Sequence, residues 1–383
     1  MLNTFGAVVE RVSTDLHIPL SSGLGAPTVY LAILSLAAPF SGVLLDGYSI
    51  RQLMIGGTVC TAAGFAALGM VQTFPQYLLV IALLIAVPSQ AMGMMGAGKL
   101  VARWMTENRG LGMGVAALGV SASGILLPPS AAALLERYGW REIYGVIAVA
   151  VFVVLLPLLL AVRKDVPVIG HDARRGFGSI FLNMLNLVRH WSLWLVVVLS
   201  APQLAIWALL GIDLIPMATK SGVAHFAAAT LLAFFSIAAA LVQPLWGWSL
   251  DRFALKRVLG FSLAFQLVGL ISLNMTLGHY HAMVGAVALY GIGAGAVLPL
   301  LNVLIGRVMG WNNFGSALGA VVVANLPILM GAFYLAGKLL DYTKRYSASL
   351  ETFAAVLVGV MFVALLLPAS SNEPSRPELH GAQ

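Results

Sequence analysis

Charge is scarce in this chain: only 9% of its 383 residues are Asp, Glu, Lys or Arg. A soluble domain carries about 25%, so there is too little charge here to cover a water-facing surface. The deficit runs the full length, which excludes a soluble domain on a single anchor. A lone cysteine, Cys60, excludes an intramolecular disulfide, and its place in an apolar run reads as packing. Met1 to Asp15 lacks a basic segment followed by a short apolar core, so no cleavable signal peptide is expected. No G-x-x-x-x-G-K-[ST], no H-E-x-x-H and no convergent Ser-His-Asp or Cys-His set is present, which leaves no ATP motor, metal site or enzyme to predict. No cofactor is expected either.

What is abundant is apolar sequence, at 60% hydrophobic residues and a mean hydropathy of +0.95. Backbone polar groups cannot stay unpaired in lipid, which leaves helices or a closed barrel. The apolar runs are continuous rather than alternating, so helices are predicted. A span needs about 20 apolar residues. Stretches free of charged residues fall at 16–45, 52–98, 110–135, 143–162, 190–212, 221–250, 258–306, 308–337 and 352–372. The windows 52–98 and 258–306 hold two helices each, with turns at Thr73-Phe74-Pro75-Gln76 and Gly278-His279-Tyr280-His281. Eleven spans result.

An internal repeat sets their register. GVLLDGYSIRQLM from Gly42 lies over GWSLDRFALKRVL from Gly247, with Asp46 and Asp251 standing 205 positions apart. The same offset pairs Pro39 with Pro244, Arg51 with Lys256, Asn108 with Asn313, Gly110 with Gly315 and Gly114 with Gly319. It places the partner of the helix near Trp191 before Met1, so only the outer end of the first helix is expected, within Met1 to Val12. The expected organisation is an N-terminal half (1–162), a linker (163–190), a C-terminal half (191–368) and a tail (369–383). With Asp46 at the inner end of its helix, 13 basic residues fall on one side and 7 on the other, leaving out Lys99. The positive-inside rule assigns the richer side, with linker and tail, to the cytoplasm. The formal charge of +7 is read the same way, and no nucleic-acid partner is expected.

Gly42-x-x-x-Asp46 followed by Arg51, and Gly247-x-x-x-Asp251-Arg252 followed by Lys256, resemble the signature of the major facilitator superfamily. The sequence departs from it at Gly47 and Ser49, where arginine and glycine are usual, and at Ala254. GIDLIPMATKSGVA (Gly211 to Ala224), Asn108-Arg109-Gly110 and GKLLDYTKRYS (Gly337 to Ser347) resemble its monocarboxylate and oxalate–formate porter branch. Where that branch often has a basic residue in its eighth helix, this chain has Gln243-Pro244. The resemblance implies an all-α polytopic fold of two pseudo-symmetric six-helix halves, here with the first helix truncated. It implies a monomeric secondary transporter in the plasma or bacterial inner membrane, working by alternating access around a midplane site. The expected partners are the lipid bilayer, a small organic solute with a carboxylate anion as first candidate, and a coupling proton or an exchanged solute. The competing reading is a non-transporting sensor or an inactive truncated copy.

The signature acids, with basic residues five or six positions on, read as a charge-linked latch between helices of one half. The plainer reading is that the flanking charges only anchor the loop. Ionisable residues in a membrane are candidate sites. Lys99 either offers its charge to an anionic substrate or snorkels to the interface beside Arg103. Asp213 either takes up a coupling proton or faces water. Gln203, Trp207, Asn302, Arg307, Asn325 and Lys338 are candidate path or gate residues, and ordinary helix pairing accounts for each alone. Gly291, Gly293 and Gly295 read as close helix packing rather than a nucleotide loop.

Overall fold

A computed structural model of the chain describes residues 8, 11–135, 137–162, 186, 189–311 and 314–365. Nearly all of the linker and all of the tail lie outside these, as do residues 1–7, 9 and 10, on which the expected remnant of the first helix falls. Among the described residues eleven long helices follow in order: α1 Leu20–Gly47, α2 Ile50–Leu68, α3 Phe74–Trp104, α4 Arg109–Leu135, α5 Trp140–Ala161, α6 Trp191–Lys220, α7 His225–Arg252, α8 Leu255–Met275, α9 Tyr280–Met309, α10 Phe314–Thr343 and α11 Tyr346–Leu365. Ten are apolar enough to cross a membrane. The remaining one, α2, is 19 residues long and carries Arg51 and Gln52 in its first turn. The chain is a multi-pass membrane protein.

The helix bounds repeat at the sequence offset. Leu20–Gly47 maps onto His225–Arg252, and the starts at Ile50 and Arg109 map onto those at Leu255 and Phe314. Local chemistry sets several of these bounds. Thr73 and Gln76 form a reciprocal capping box at the start of α3, and Gly310, at φ +91°, ends α9 in the left-handed region open to glycine. Each half also breaks one helix at a glycine. Helix α3 is interrupted at Gly93 after a wide π-type turn over Ile81–Ala86, and α9 is interrupted between Ala294 and Val297.

Packing divides the chain into two compact units. One takes in 1–100, 123–189 and 312–323; the other takes in 101–122, 190–311 and 324–383. Each unit therefore holds the opening turns of a helix that continues in the other: α10 begins in the first, α4 in the second. In the first unit an aromatic cluster fills the core, where the hydroxyls of Tyr77 and Tyr144 share a 2.9 Å hydrogen bond and Trp140 meets Tyr144 edge-on. Beside it, Asp15 accepts from Trp140 Nε1 at 2.9 Å and from Arg141 at 2.6 Å. Those hydrogen bonds, Trp140's first, hold the Asp15 carboxyl below the usual carboxylate range.

In the second unit α6 and α9 are the interior helices, with 61% and 67% of their apolar windows buried against 28–44% for α7, α8 and α11. Gly291 lies against the Phe235 carbonyl of α7, and Gly293 against the Ser262 carbonyl and Gln266 amide of α8. A side chain at either glycine would force the helices apart. That row packs helices closely, as membrane bundles do without a hydrophobic driving force.

Candidate functional site: two helix-end latches

The signature acids sit at helix ends because the chain must turn there. Asp46 lies in the last turn of α1 and Asp251 in that of α7. A helix N-terminus exposes unpaired N–H groups and a partial positive charge, so it attracts a carboxylate. In the first unit Asp46 meets the start of α10. One oxygen accepts from Gly315 N at 3.0 Å; the other accepts from Ser316 N at 2.7 Å and from its hydroxyl at 2.5 Å. In the second unit Asp251 accepts from Gly110 N at 2.7 Å and Leu111 N at 2.8 Å, at the start of α4. The two arrangements are the same contact moved by 205 residues, and each ties an acid from one half of the sequence to a helix start from the other.

The repeated glycines and prolines are the crossing points beneath these contacts. A Cβ on Gly315 would come within 2.8 Å of Asp46 Oδ1 and 2.5 Å of the Gly42 carbonyl. One on Gly110 would press on Asp251 Oδ1 and the Gly247 carbonyl. One turn further, Gly319 lies against Ala38 and Pro39, and Gly114 against Gln243 and Pro244.

The basic residues of the signature do a different job from the one expected. Arg51 donates to the Leu160 carbonyl at 2.7 Å, and Lys256 to that of Leu365 at 2.5 Å. Both carbonyls lie at the C-terminal end of the last helix of a half, where a cation complements the helix dipole. Arg252 stacks over Trp248. The latch is thus acid to helix N-terminus, and the bases that follow each acid in the motif hold helix C-termini instead of pairing with that acid.

Lys99 is buried at 5% exposure and pairs with Asp46 at 2.5 Å. Its charge is thus engaged by Asp46 rather than standing free for a substrate in this structure. Its counterpart by register is Leu304. One turn on, Arg307 lies in the field of Asp251 and donates to the Leu250 carbonyl. The first latch therefore has a direct ion pair and the second has none at the same position.

The other candidates scatter. Gln203 and Asn325 are buried and hydrogen-bonded, Gln203 to the Leu199 carbonyl and Asn325 to Ser200 Oγ. Asn302 is buried in α9. Asp213 is half-buried in α6, Trp207 is exposed on that helix, and Lys338 lies over the Tyr334 ring at 5.8 Å. The structure does not gather these side chains into one site. Sequence reasoning missed Ser262 and Gln266, which join Gln203 in a buried network. Amides on apolar helices were the available signal.

Eleven apolar helices, a repeat that holds to the residue, and matched latches at equivalent helix ends define a duplicated membrane bundle of the transporter class. The Major Facilitator Superfamily profile matches residues 1–325 and 203–382. The chain belongs to that superfamily and is a transporter. It is 23% identical over 388 residues to an uncharacterized MFS-type transporter, YcxA, of Bacillus subtilis, covering 99% of this chain and 93% of that one. Monocarboxylate transporter 2 of Rattus norvegicus is 26% identical over 345 residues, with 83% and 69% covered. The fold is similar to that of the transporter FucP in its outward conformation, at TM-score 0.70 and 15% identity over 95% of this chain and 96% of that one.

Proposed function

We propose that this transporter moves a small organic solute, a carboxylate anion first among candidates, by alternating access coupled to a proton or to exchange. The observation that carries the mechanism is the pair of latches, Asp46 on Gly315 and Ser316, and Asp251 on Gly110 and Leu111. A contact built twice, at equivalent helix ends and across the two halves of the sequence, is what two bodies rocking about a shared site need in order to hold one side closed. In this reading the halves 1–162 and 191–368 rock, 163–190 links them, and the latches lie on the cytoplasmic side, where basic residues outnumber those opposite by 13 to 7. The protein works as a monomer in the cell membrane.

The carboxylate assignment is supported by the name of the rat relative and by the motif resemblance in Gly211 to Ala224. Lys99 meets an anion only after release from Asp46, so substrate charge and latch opening would be linked. Asp213, the acid within α6, is the candidate for a coupling proton. Counterflow into proteoliposomes of radiolabelled lactate, oxalate and formate tests the assignment. Exchange of at least one is expected; transport of a neutral or cationic compound with no carboxylate counterflow would defeat it.

A further inference from the structure

We infer that the second unit carries an anion-collecting patch at the end opposite its latch, formed by Lys220, Lys344 and Arg345, which draws a small anionic solute from solution. This rests on the carboxylate reading above and adds where the anion is first met. Helix α7 ends at the Asp251 latch, so the turn from α6 into α7 lies at the other end, with Lys220 as the last residue of α6. Lys220 Nζ stands 5.3 Å from the centre of the Tyr346 ring. That contact brings it to the turn between α10 and α11, where Lys344 and Arg345 directly precede Tyr346. All three cations are exposed, and among the described residues none has an ion pair. Lys338, over the Tyr334 ring, adds a fourth charge, against two exposed acids at this end, Asp341 and Glu351.

Three observations mark this charge as more than a helix anchor. With the latches cytoplasmic, these are the residues that the positive-inside rule keeps off this side. Lys344 holds φ +55°, a region open to glycine and unfavourable for a side chain. Thr343 pins the turn there: its Oγ1 accepts from Arg345 N at 3.3 Å and donates to the Leu339 carbonyl at 2.7 Å. The first unit, by contrast, ties its charge down at the start of α5. Arg141 pairs with Asp15, stacks over Trp140 and donates to the Val71 carbonyl. Exposed charge left uncompensated beside a low-dielectric wall raises the arrival rate of counter-ions about 10–10³-fold, and salt removes the gain. A small carboxylate is such a counter-ion, and a dicarboxylate gains most.

The test reads the local potential without needing a transported solute. Tyr342, 94% exposed, lies two residues before Lys344. In full-length protein carrying Cys60→Ser, Tyr342→Cys is labelled with an anionic and a cationic methanethiosulfonate in low salt. The anionic-to-cationic rate ratio should fall at least about tenfold when Lys220→Gln, Lys344→Gln and Arg345→Gln are combined. Raising salt to about 1 M, where the screening length is about 3 Å, should erase that difference. Lys344→Gly, which also relieves the backbone, should lower the ratio with no loss of melting temperature. A ratio unmoved by the triple variant would overturn the patch. The difference should persist in vesicles containing anionic lipid; its loss there would show that lipid headgroups occupy the patch, and would overturn the solute reading. Oxalate counterflow then supplies the transport readout. Its KM should rise several-fold in the triple variant at low salt and converge with wild type at high salt, and a KM indifferent to the variant would also overturn the inference. If oxalate does not exchange at all, the carboxylate assignment falls, and the labelling still decides the patch.

Discussion

Replacing Asp46 by asparagine keeps the side chain's size and removes its charge. The substituted amide would retain one carbonyl oxygen for the start of α10, so part of the bonding to Gly315 and Ser316 survives. What is lost is the 2.5 Å ion pair with Lys99, whose side chain is 6% exposed. Breaking a buried pair from one side costs about 3–5 kcal/mol, because the remaining charge is left uncompensated. That cost falls on stability, because α1 and α3 belong to the same half; the weakened charge-assisted bonds to Gly315 and Ser316, about 1.5–3 kcal/mol, should open the latch on the order of 10–10² times more often at about 1.4 kcal/mol per tenfold. Ala38 lies beneath the latch at 0% exposure. In a Cys60→Ser background, Ala38→Cys should therefore react that much faster with an impermeant maleimide once Asp46→Asn is added. Adding Lys99→Met should restore thermal stability in part, since it removes the stranded charge, and the double mutant should cost less stability than the sum. Labelling unchanged by Asp46→Asn would refute the argument, as would strict additivity.

Asp251→Asn should open the second latch to a similar degree, about 1.5–3 kcal/mol from weakened charge-assisted bonds to Gly110 and Leu111, read by the same labelling at the equivalent position, Gln243, but with a smaller loss of stability. Gly315→Ala should loosen the first latch without removing any charge, because its methyl would overlap the Gly42 carbonyl and crowd Asp46 Oδ1; maleimide labelling and transport should shift together. Tyr77→Phe should lower the melting temperature, since it strands the buried Tyr144 hydroxyl at a cost of about 1–3 kcal/mol. Asp15, with its carboxyl held below the usual value by Trp140 and Arg141, contributes stability that is present above its unfolded value of 3.8. That contribution is lost as pH falls through the lower folded value. Asp15 is 49% exposed, so solvent screening keeps the effect modest. Thermal melts should show a weaker acid-side decline in Asp15→Asn than in wild type.

The helices were legible because charge is so rare here that most charged residues fall at or near helix ends, and the turns at Thr73 and Gly278 carry strong local chemistry. The repeat could be read to the residue: Asp46 with Asp251, Gly110 with Gly315, Pro39 with Pro244. What it meant could not be read, because the partners of the acids are backbone N–H groups, which every residue has and no sequence displays. The basic residues that follow each acid suggested a pairing along the chain. The fold instead sends Arg51 to Leu160 and Lys256 to Leu365, more than a hundred residues away. Lys99 illustrates the same limit. Its place in an apolar helix marked it as special, but its partner depended on how α1 and α3 meet in space. The Gln203, Ser262 and Gln266 network was hidden for another reason: amides spaced along apolar helices carry no motif, and only their mutual geometry joins them.

The central claim is that the two latches break and re-form as solute crosses. Hydrogen exchange at the amides of Gly110, Leu111, Gly315 and Ser316 reads this directly, because those N–H groups are the ones the two acids hold. In native protein without solute, all four should be protected, and adding a transported solute on both sides of the membrane should speed their exchange together. Protection that stays constant while solute is visibly exchanging would contradict the account.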